Sequence, residues 1–396
     1  MNLYEIFEFN ENAKKSGAAY TKHRYILEEI LSEKGKHFIG ISGPRGTGKT
    51  VLLRQLLNII PESFYISADT SENINLLEIA KILSNQNKIK VLLIDEIHFC
   101  KSYPKDLKKI YDFLDIKIIF TSSVSLSLFS SEFDLSRRVK IIKLYPFSFR
   151  EFLYFENNLK ISKISIDDIV NSSWKAEHMM HLHLFDDYLK GRLFPFTLEE
   201  PNFMPLVHNI CKKVIHKDIP IVANLRLNEI SKISKLLEFI GKSEVDGINY
   251  SSISKNIGIT KYKAEQYVKL LSNAFVLNVV FPMGTNVLKE PKVLMNLPYR
   301  LIYKDFDQCI GALREDFFVE SAKMRGLMFH YLKTTRGSKT PDYLIVNKNE
   351  KIVIEIGGKG KGRTQFKGIK AEKKLILSHS LNISDNQRHL SLFGFI

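Results

Sequence analysis

The sequence predicts an α/β protein whose first part is a parallel β-sheet with helices on both faces. From residue 36 to about 150, short apolar runs typical of buried strands alternate with amphipathic stretches typical of helices. The strand-like run His37–Ser42 leads into a glycine-rich segment, and the helix-like run Val51–Leu57 follows it. A polar, mainly helical segment, residues 1–35, precedes the first strand.

The glycine-rich segment, residues 43–50, reads Gly-Pro-Arg-Gly-Thr-Gly-Lys-Thr, the pattern of a phosphate-binding loop. Its glycines accept positive φ, so backbone N–H groups can surround a triphosphate at the start of a helix. Lys49 would then contact the β- and γ-phosphates, and Thr50 would bind Mg²⁺. We therefore expect ATP and Mg²⁺ as ligands. The predicted nucleotide-binding residues are Gly43, Pro44, Arg45, Gly46, Thr47, Gly48, Lys49, Thr50 and Val51.

Polar residues also follow two later apolar runs. Val91–Ile94 ends in an acidic pair, in which Asp95 is placed to hold Mg²⁺ through water and Glu96 to orient or deprotonate the attacking water. An acidic pair after a core strand can also be a simple helix cap. The run 118–120 leads into three hydroxyl residues, of which Ser122 is the candidate for contact with the γ-phosphate or the attacking water.

A basic pair, Arg137 and Arg138, precedes the strand-like run 139–144. In a ring ATPase, Arg138 would face a neighbouring subunit and stabilise charge on the transferring phosphoryl group. The alternative is a solvated basic pair. The predicted catalytic set is Glu96, Lys49, Arg138 and Ser122, and a finger supplied in trans predicts a homo-oligomer.

The middle of the chain is helical in pattern. Residues 151–240 are punctuated by prolines and predict a helical lid. Residues 241–283 read as helix, glycine-containing turn, helix and strand, the order of a winged helix. Its second helix carries Lys261, Lys263 and Lys269, which would meet phosphates if that helix enters a DNA groove. Such modules also serve as protein contacts, so both partners stay open.

The last segment, residues 284–396, predicts a second α/β domain with a β-hairpin. Asp342 and Glu355 would lie on its adjacent strands and could share a second Mg²⁺, as metal-dependent phosphodiester cleavage requires. The lysine expected two residues after the glutamate is replaced by Gly357, which disfavours cleavage. Residues 351–374 contain eight basic and two acidic side chains, a patch suited to DNA.

Length, charge and cysteine usage set further bounds. A chain of 396 residues suggests several domains, and a net charge of +15 favours a polyanionic partner, although a lysine-rich composition overall accounts for part of it. Three distant cysteines exclude a disulfide framework. No apolar run approaches 18 residues and the N-terminus lacks a signal-peptide pattern, so we expect a cytoplasmic protein without membrane contact.

Taken together, these motifs resemble the archaeal and bacterial AAA+ ATPases that carry a winged helix and a C-terminal domain of unknown function related to restriction-endonuclease folds. The segments that carry the resemblance are residues 43–50, 93–97, 121–123, 144–152, 217–220, 341–343 and 354–356. The resemblance implies an ATPase domain at 1–150, a helical lid at 151–240, a winged helix at 241–283 and a nuclease-like domain at 284–396.

Three functions are compatible with this organisation. The first is an ATP-hydrolysing switch that acts on DNA. The second is a nucleotide-dependent switch that binds a protein partner, with the basic surface facing acidic side chains. The third, disfavoured by Gly357, is an ATP-gated metal-dependent nuclease.

Overall fold

The chain forms two compact units, Met1–Pro146 and Phe147–Ile396. They are seen in a computed structural model that describes residues 3–69, 75–86, 88–123, 135–223, 225–283, 290–332, 340–348, 350–358, 366, 371–381 and 387–396. Within those ranges, no helix has the length and apolar content needed to cross a bilayer.

The first unit is built on a five-stranded sheet in the order β2-β3-β4-β1-β5, and each of its strand pairs is parallel. Its strands are β1 Phe38–Ser42, β2 Ser63–Ser67, β3 Val91–Asp95, β4 Lys117–Ser122 and β5 Val139–Lys143. Its helices are α1 Leu3–Ala18, α2 Ile26–Ser32, α3 Lys49–Ile59, α4 Leu76–Gln86 and α5 Tyr103–Phe113. The central strands are largely apolar up to their carboxyl ends because helices cover both faces. The predicted α/β fold class is confirmed.

Helix α1 crosses one edge of this sheet. Ile6 packs into the core on one face and Ala13 into the core on the other face. Between them, the Asn10 side-chain oxygen accepts a hydrogen bond of 2.9 Å from the backbone N–H of Tyr65 in β2. The outermost strand therefore has a side-chain partner where a sixth strand would otherwise pair.

The second unit begins with helices. They are α6 Phe149–Asn157, α7 Ile166–Asn171, α8 Phe185–Leu189, α9 Met204–Lys213, α10 Ile219–Ala223, α11 Leu227–Lys242, α12 Tyr250–Ile257, α13 Lys261–Asn273 and α14 Phe306–Met324. A capping box of Ser148 and Glu151 starts α6. Helix α12 ends at Gly258, whose φ of 69° suits a helix C-cap.

Two sheets complete this unit. Their strands are β6 Leu277–Val280, β7 Lys292–Met295, β8 Met328–Tyr331, β9 Tyr343–Asn347, β10 Glu350–Gly357, β11 Lys373–Ser378 and β12 Gln387–His389. Strands β6 and β7 form an antiparallel pair, while the other five are ordered β12-β11-β10-β9-β8. The predicted hairpin is present as β9 and β10, which pair antiparallel.

The main hydrophobic core of the second unit has members from Phe147 to Ile396, and a smaller cluster is formed by Leu344, Val353, Phe366 and Ile376. The fully buried Arg300 pairs with Asp316 of α14 at 2.6 Å and donates to the Ile240 carbonyl at the end of α11. These contacts connect helix α11 with helix α14. The finer division at 151–240, 241–283 and 284–396 stays a prediction.

Candidate active site

The phosphate-loop segment runs from the carboxyl end of β1 to the first turn of α3, which holds Thr50 and Val51. Gly46 and Gly48 have φ of 83° and 84°, a region that side chains disfavour. Helix α3 begins directly after Gly48, so its free backbone N–H groups lie next to the loop. An anion at this helix start would meet both the N–H groups and the positive end of the helix dipole.

Close packing explains why residue 43 is glycine. A Cβ atom there would lie 2.0 Å from the carbonyl oxygen of Leu144, which follows β5. The Gly43 N–H donates to the Ser122 carbonyl at 3.2 Å, at the end of β4. The start of the loop is therefore held between two neighbouring strands.

The Lys49 side chain is folded onto the loop. Its ammonium donates to the carbonyl oxygens of Gly43 at 2.9 Å and Pro44 at 2.8 Å, and the residue is 5% exposed. Thr47 also donates to Pro44, at 2.9 Å. The cation is thus already at the loop, where a phosphate oxygen can replace a carbonyl as its partner.

Arg24 braces the same loop from outside the motif. Its guanidinium donates to the Thr47 carbonyl at 3.0 Å and to the Tyr145 carbonyl at 2.9 Å, and the residue is buried. Sequence reasoning missed Arg24 because it lies 23 positions before Thr47, and no local pattern marks it.

Asp95 accepts three hydroxyl hydrogen bonds. Thr50 donates to Oδ2 at 2.7 Å and Tyr65 to the same oxygen at 3.1 Å, while Thr121 donates to Oδ1 at 2.5 Å. Burial raises the pKa of Asp95, although the hydrogen bonds from Thr121 and Thr50 oppose that rise. Both carboxylate oxygens are therefore fixed in direction, with Oδ2 facing the threonine of the loop.

Glu96 lies in the left-handed backbone region, with φ of 50° and ψ of 50°. Its Oε2 accepts from the Ser123 N–H at 2.9 Å and lies 3.3 Å from His98 Nδ1, and its Oε1 lies 3.8 Å from Arg45. Burial alone would raise the pKa of Glu96. Instead Lys49, His98 and Arg45 outweigh burial and hold that pKa below its usual value.

Two hydroxyl residues at the end of β4 lie close to the acidic pair. Ser122, the predicted contact, has its hydroxyl 3.2 Å from His98 Nδ1. Thr121 instead bridges the acidic pair, since its oxygen accepts from the Glu96 N–H at 2.9 Å while its proton goes to Asp95. His98 thus lies between Ser122 and Glu96, because its Nδ1 contacts both side chains.

Arg138 lies near the amino-terminal ends of the strands, whereas the loop follows the carboxyl-terminal end of β1. It directly precedes β5, where Val139 pairs with Phe38 at the start of β1, about 16 Å of strand away from Gly43. Its guanidinium makes two bonds of 3.0 Å to the carboxylate of Asp112 in α5. The helix predicted before Arg138 falls on residues 124–134, outside the described ranges. Arg138 therefore does not join the loop of its own chain.

Asp342 and Glu355 are brought together on adjacent strands. The β9–β10 register pairs Tyr343 with Ile354, which sets Asp342 opposite Glu355, and Asp342 accepts from the Ile356 N–H at 2.7 Å. Burial, followed by the charges of Glu315 and Glu355, raises the pKa of Asp342 to about 7. Over the described residues, no group of three or more His, Cys, Asp or Glu side chains could hold a metal ion. The second Mg²⁺ at Asp342 and Glu355 stays a prediction.

A lysine of strand β7 acts electrostatically on Asp342. Lys292 of β7 contacts Glu315 at 2.6 Å and Asp246 at 3.0 Å, and Tyr343 donates to Glu315 at 2.7 Å. Despite burial, these carboxylates raise the pKa of Lys292 and keep it charged. Five of the eight basic residues counted within 351–374 lie outside the described ranges. They are Lys359, Lys361, Arg363, Lys367 and Lys370.

Two of the three lysines predicted to meet DNA already have acidic partners. Lys261 pairs with Glu290 at 2.5 Å, and Lys263 pairs with Glu229 at 2.7 Å. The hydrogen bond from Lys263 is the main reason that the pKa of Glu229 falls to about 2. Lys269 is exposed. The helix α13 thus presents less free positive charge than its sequence suggests.

Two families match parts of the chain. Residues 35–153 match the family described as an AAA domain, and residues 193–296 match a domain of unknown function. The first unit therefore contains an AAA-type P-loop ATPase domain. Its match includes the phosphate loop and the acidic pair of β3.

Relatives extend the likeness without adding a function. An uncharacterized protein of Methanocaldococcus jannaschii is 27% identical over 97% of this chain and 90% of its own length. One from Haemophilus influenzae is 28% identical over 66% of each chain. Among solved structures, a Walker-type ATPase of Pyrococcus abyssi is 15% identical with a TM-score of 0.41, covering 74% of this chain and 95% of that one.

Proposed function

We propose that this protein binds ATP with Mg²⁺ and hydrolyses the ATP, with Glu96 as the general base. The observation that carries the proposal is the position of Glu96 beside the loop, with its Oε1 3.8 Å from Arg45 and its Oε2 accepting from the Ser123 N–H at 2.9 Å. Positive charge from Lys49, His98 and Arg45 lowers its pKa, so the carboxylate is ionised at neutral pH. A general base must be unprotonated to take a proton from water. The Ser123 N–H fixes the orientation of the carboxylate.

The neighbouring residues have the donor set for the nucleotide and its cation. Lys49 would exchange its carbonyl partners for phosphate oxygens, where its charge opposes the negative charge of the reacting group. Thr50 and Asp95 offer hard oxygen atoms 2.7 Å apart, which fits Mg²⁺. When bound there, Mg²⁺ would neutralise charge on the phosphate oxygens.

Arg138 is proposed to act on the nucleotide of a neighbouring copy of the chain. Its position at the opposite end of the strands from its own loop supports this role. A finger in trans implies a homo-oligomer. Asp112 would have to release Arg138 for the contact, so the ion pair would compete with activation.

DNA is the proposed partner of the ATP-driven switch. The net charge of +15 supports a polyanionic ligand. A second candidate is an acidic protein partner, and the pairing of Lys261 and Lys263 with glutamates favours it because those lysines must first break an ion pair to reach phosphate. The third candidate, a metal-dependent nuclease, is not supported, because Gly357 supplies no ammonium and Lys292 is held by Glu315 and Asp246.

One experiment separates these functions. ATP turnover is measured with and without duplex DNA for the parent protein and for Lys49→Ala, and DNA integrity is followed in the same samples with Mg²⁺. We expect turnover that DNA stimulates, no turnover in Lys49→Ala, and intact DNA. Equal turnover in both proteins would refute the active site. Turnover indifferent to DNA would favour the protein partner, and cleavage lost in Asp342→Ala would favour the nuclease.

A further inference from the structure

Tyr65 is a buried residue whose hydroxyl points at the active site. It lies in the middle of β2, is 3% exposed, and donates to Asp95 Oδ2 at 3.1 Å. The same oxygen accepts from Thr50 at 2.7 Å. Neither the phosphate loop nor the acidic pair specifies a tyrosine on this strand.

Residues of helices α1 and α3 contact the backbone and the ring of Tyr65. The Asn10 side chain accepts from the Tyr65 backbone N–H at 2.9 Å. The Arg54 guanidinium lies 5.8 Å from the Tyr65 ring centroid and donates to the Ser16 hydroxyl of α1 at 2.9 Å. Backbone and ring are thus both fixed, so the hydroxyl has little freedom to leave Asp95.

A cavity of about 520 Å³ opens at this point. Its lining includes Thr50, Tyr65 and Asp95, together with Asp69 and Ser67 at the carboxyl end of β2. The oxygen atoms of Thr50, Tyr65 and Asp95 therefore lie on one side of a space that can admit a hydrated cation, while Phe9, Ala13 and Arg54 line other parts of it.

We propose that Tyr65 is a positioning residue for the divalent cation that accompanies the nucleotide. It acts through Asp95 by holding the carboxylate with Oδ2 turned towards Thr50. This inference rests on the proposed function. The Asp95 carboxylate can rotate about its terminal bond. Without the Tyr65 hydrogen bond, only the Thr50 and Thr121 hydroxyls would oppose that rotation. Supporting residues of this kind commonly set the affinity of a metal site.

The test is Tyr65→Phe, which removes one oxygen atom and keeps the ring in the core. Mn²⁺ serves as the probe cation, and its binding to the protein with ADP is measured by electron paramagnetic resonance. Loss of a hydrogen bond to a charged group predicts a Mn²⁺ dissociation constant about tenfold higher. ADP binding in excess EDTA should match that of the parent protein.

Tyr103→Phe is the matched control. Tyr103 is also 3% exposed, but it packs in the core on the other face of the sheet. We expect it to leave Mn²⁺ binding unchanged. In an Asp95→Asn background, Tyr65→Phe should have little further effect, because its route to the cation is already removed.

Each other result overturns the proposal. If Tyr65→Phe binds Mn²⁺ with the affinity of the parent protein, the Tyr65 hydroxyl does not position the cation, and its hydrogen bond to Asp95 only satisfies a buried polar group. If Tyr65→Phe weakens ADP binding in EDTA as much as it weakens Mn²⁺ binding, Tyr65 has a general structural role. The same conclusion follows if Tyr65→Phe weakens Mn²⁺ binding as much in the Asp95→Asn background as in the parent protein. If the parent protein with ADP does not bind Mn²⁺, the proposed cation site does not exist. Mn²⁺ and ADP binding without ATP turnover would instead refute only hydrolysis, and the Tyr65 comparison would still decide the inference.

Discussion

Gly43→Ala tests whether close packing fixes the geometry of the phosphate loop. The added Cβ would lie 2.0 Å from the Leu144 carbonyl oxygen, whereas such atoms essentially never approach within 3.0 Å. Backbone must therefore move by about 1 Å, a forced fit that typically costs about 1–3 kcal/mol. The moving residue also carries the carbonyl that holds Lys49 at 2.9 Å.

Two losses follow from that shift. The free energy of unfolding should fall by about 1–3 kcal/mol, as measured by urea denaturation. Displacing the lysine and the first loop N–H groups should weaken ADP binding by roughly 10- to 100-fold, the equivalent of about one or two charged hydrogen bonds. A fluorescent ADP analogue reports the affinity directly.

Gly35→Ala provides the control for this substitution. Its Cβ would have its nearest neighbour at 3.7 Å, an ordinary contact, in the segment before β1. We expect parental stability and ADP affinity there. If Gly43→Ala also shows both parental values, close approach of Leu144 does not constrain the loop.

Three further predictions concern single charged groups. Glu96→Gln should bind ATP normally and lose about 10²- to 10⁴-fold in turnover, because the amide cannot accept the proton; near-parental turnover would exclude Glu96 as the base. Arg138→Ala should lower turnover while ADP affinity is retained, and mixing with Lys49→Ala subunits should restore part of the activity; a monomer that turns over normally would contradict a finger in trans. Burial raises the pKa of Glu320 in the folded protein to about 8, so this side chain ionises less readily in the folded state than in the unfolded state. Its contribution to stability is therefore retained below about pH 4.5 and falls as pH rises towards 8, with a slope of up to about 1.4 kcal/mol per pH unit. Glu320→Gln should flatten that slope in thermal unfolding measured between pH 5 and 8, and an unchanged slope would show that other groups cause it.

The parts of the site that sequence could predict are those encoded within a few residues. The loop and the acidic pair follow strands directly, so a strand prediction places them at the same sheet edge. Tyr65 could not be predicted, because only the parallel pairing of β2 with β3 brings its hydroxyl to Asp95. Arg24 similarly depends on the packing of a distant segment against the loop.

The same limit explains the differences in the second unit. The β9–β10 hairpin was predictable from alternating strands around a short turn, whereas the burial of Lys292 beside Glu315 depends on strand β7 packing against helix α14. The prediction from sequence also treated Lys263 as a positive charge available to a phosphate. Its partner Glu229 lies 34 positions earlier, and a charge count cannot identify such pairs.

Helix α1 has a consequence for handling the domain in isolation. The AAA match begins at residue 35, which invites a fragment that starts there. That fragment would lack Asn10, the acceptor for the Tyr65 N–H, as well as Ile6 and Ala13, which pack against opposite faces of the sheet. Strand β2 would then present an open, apolar edge of the kind that recruits further strands and leads to aggregation. We therefore expect fragments of the ATPase domain to need helix α1 in order to stay soluble.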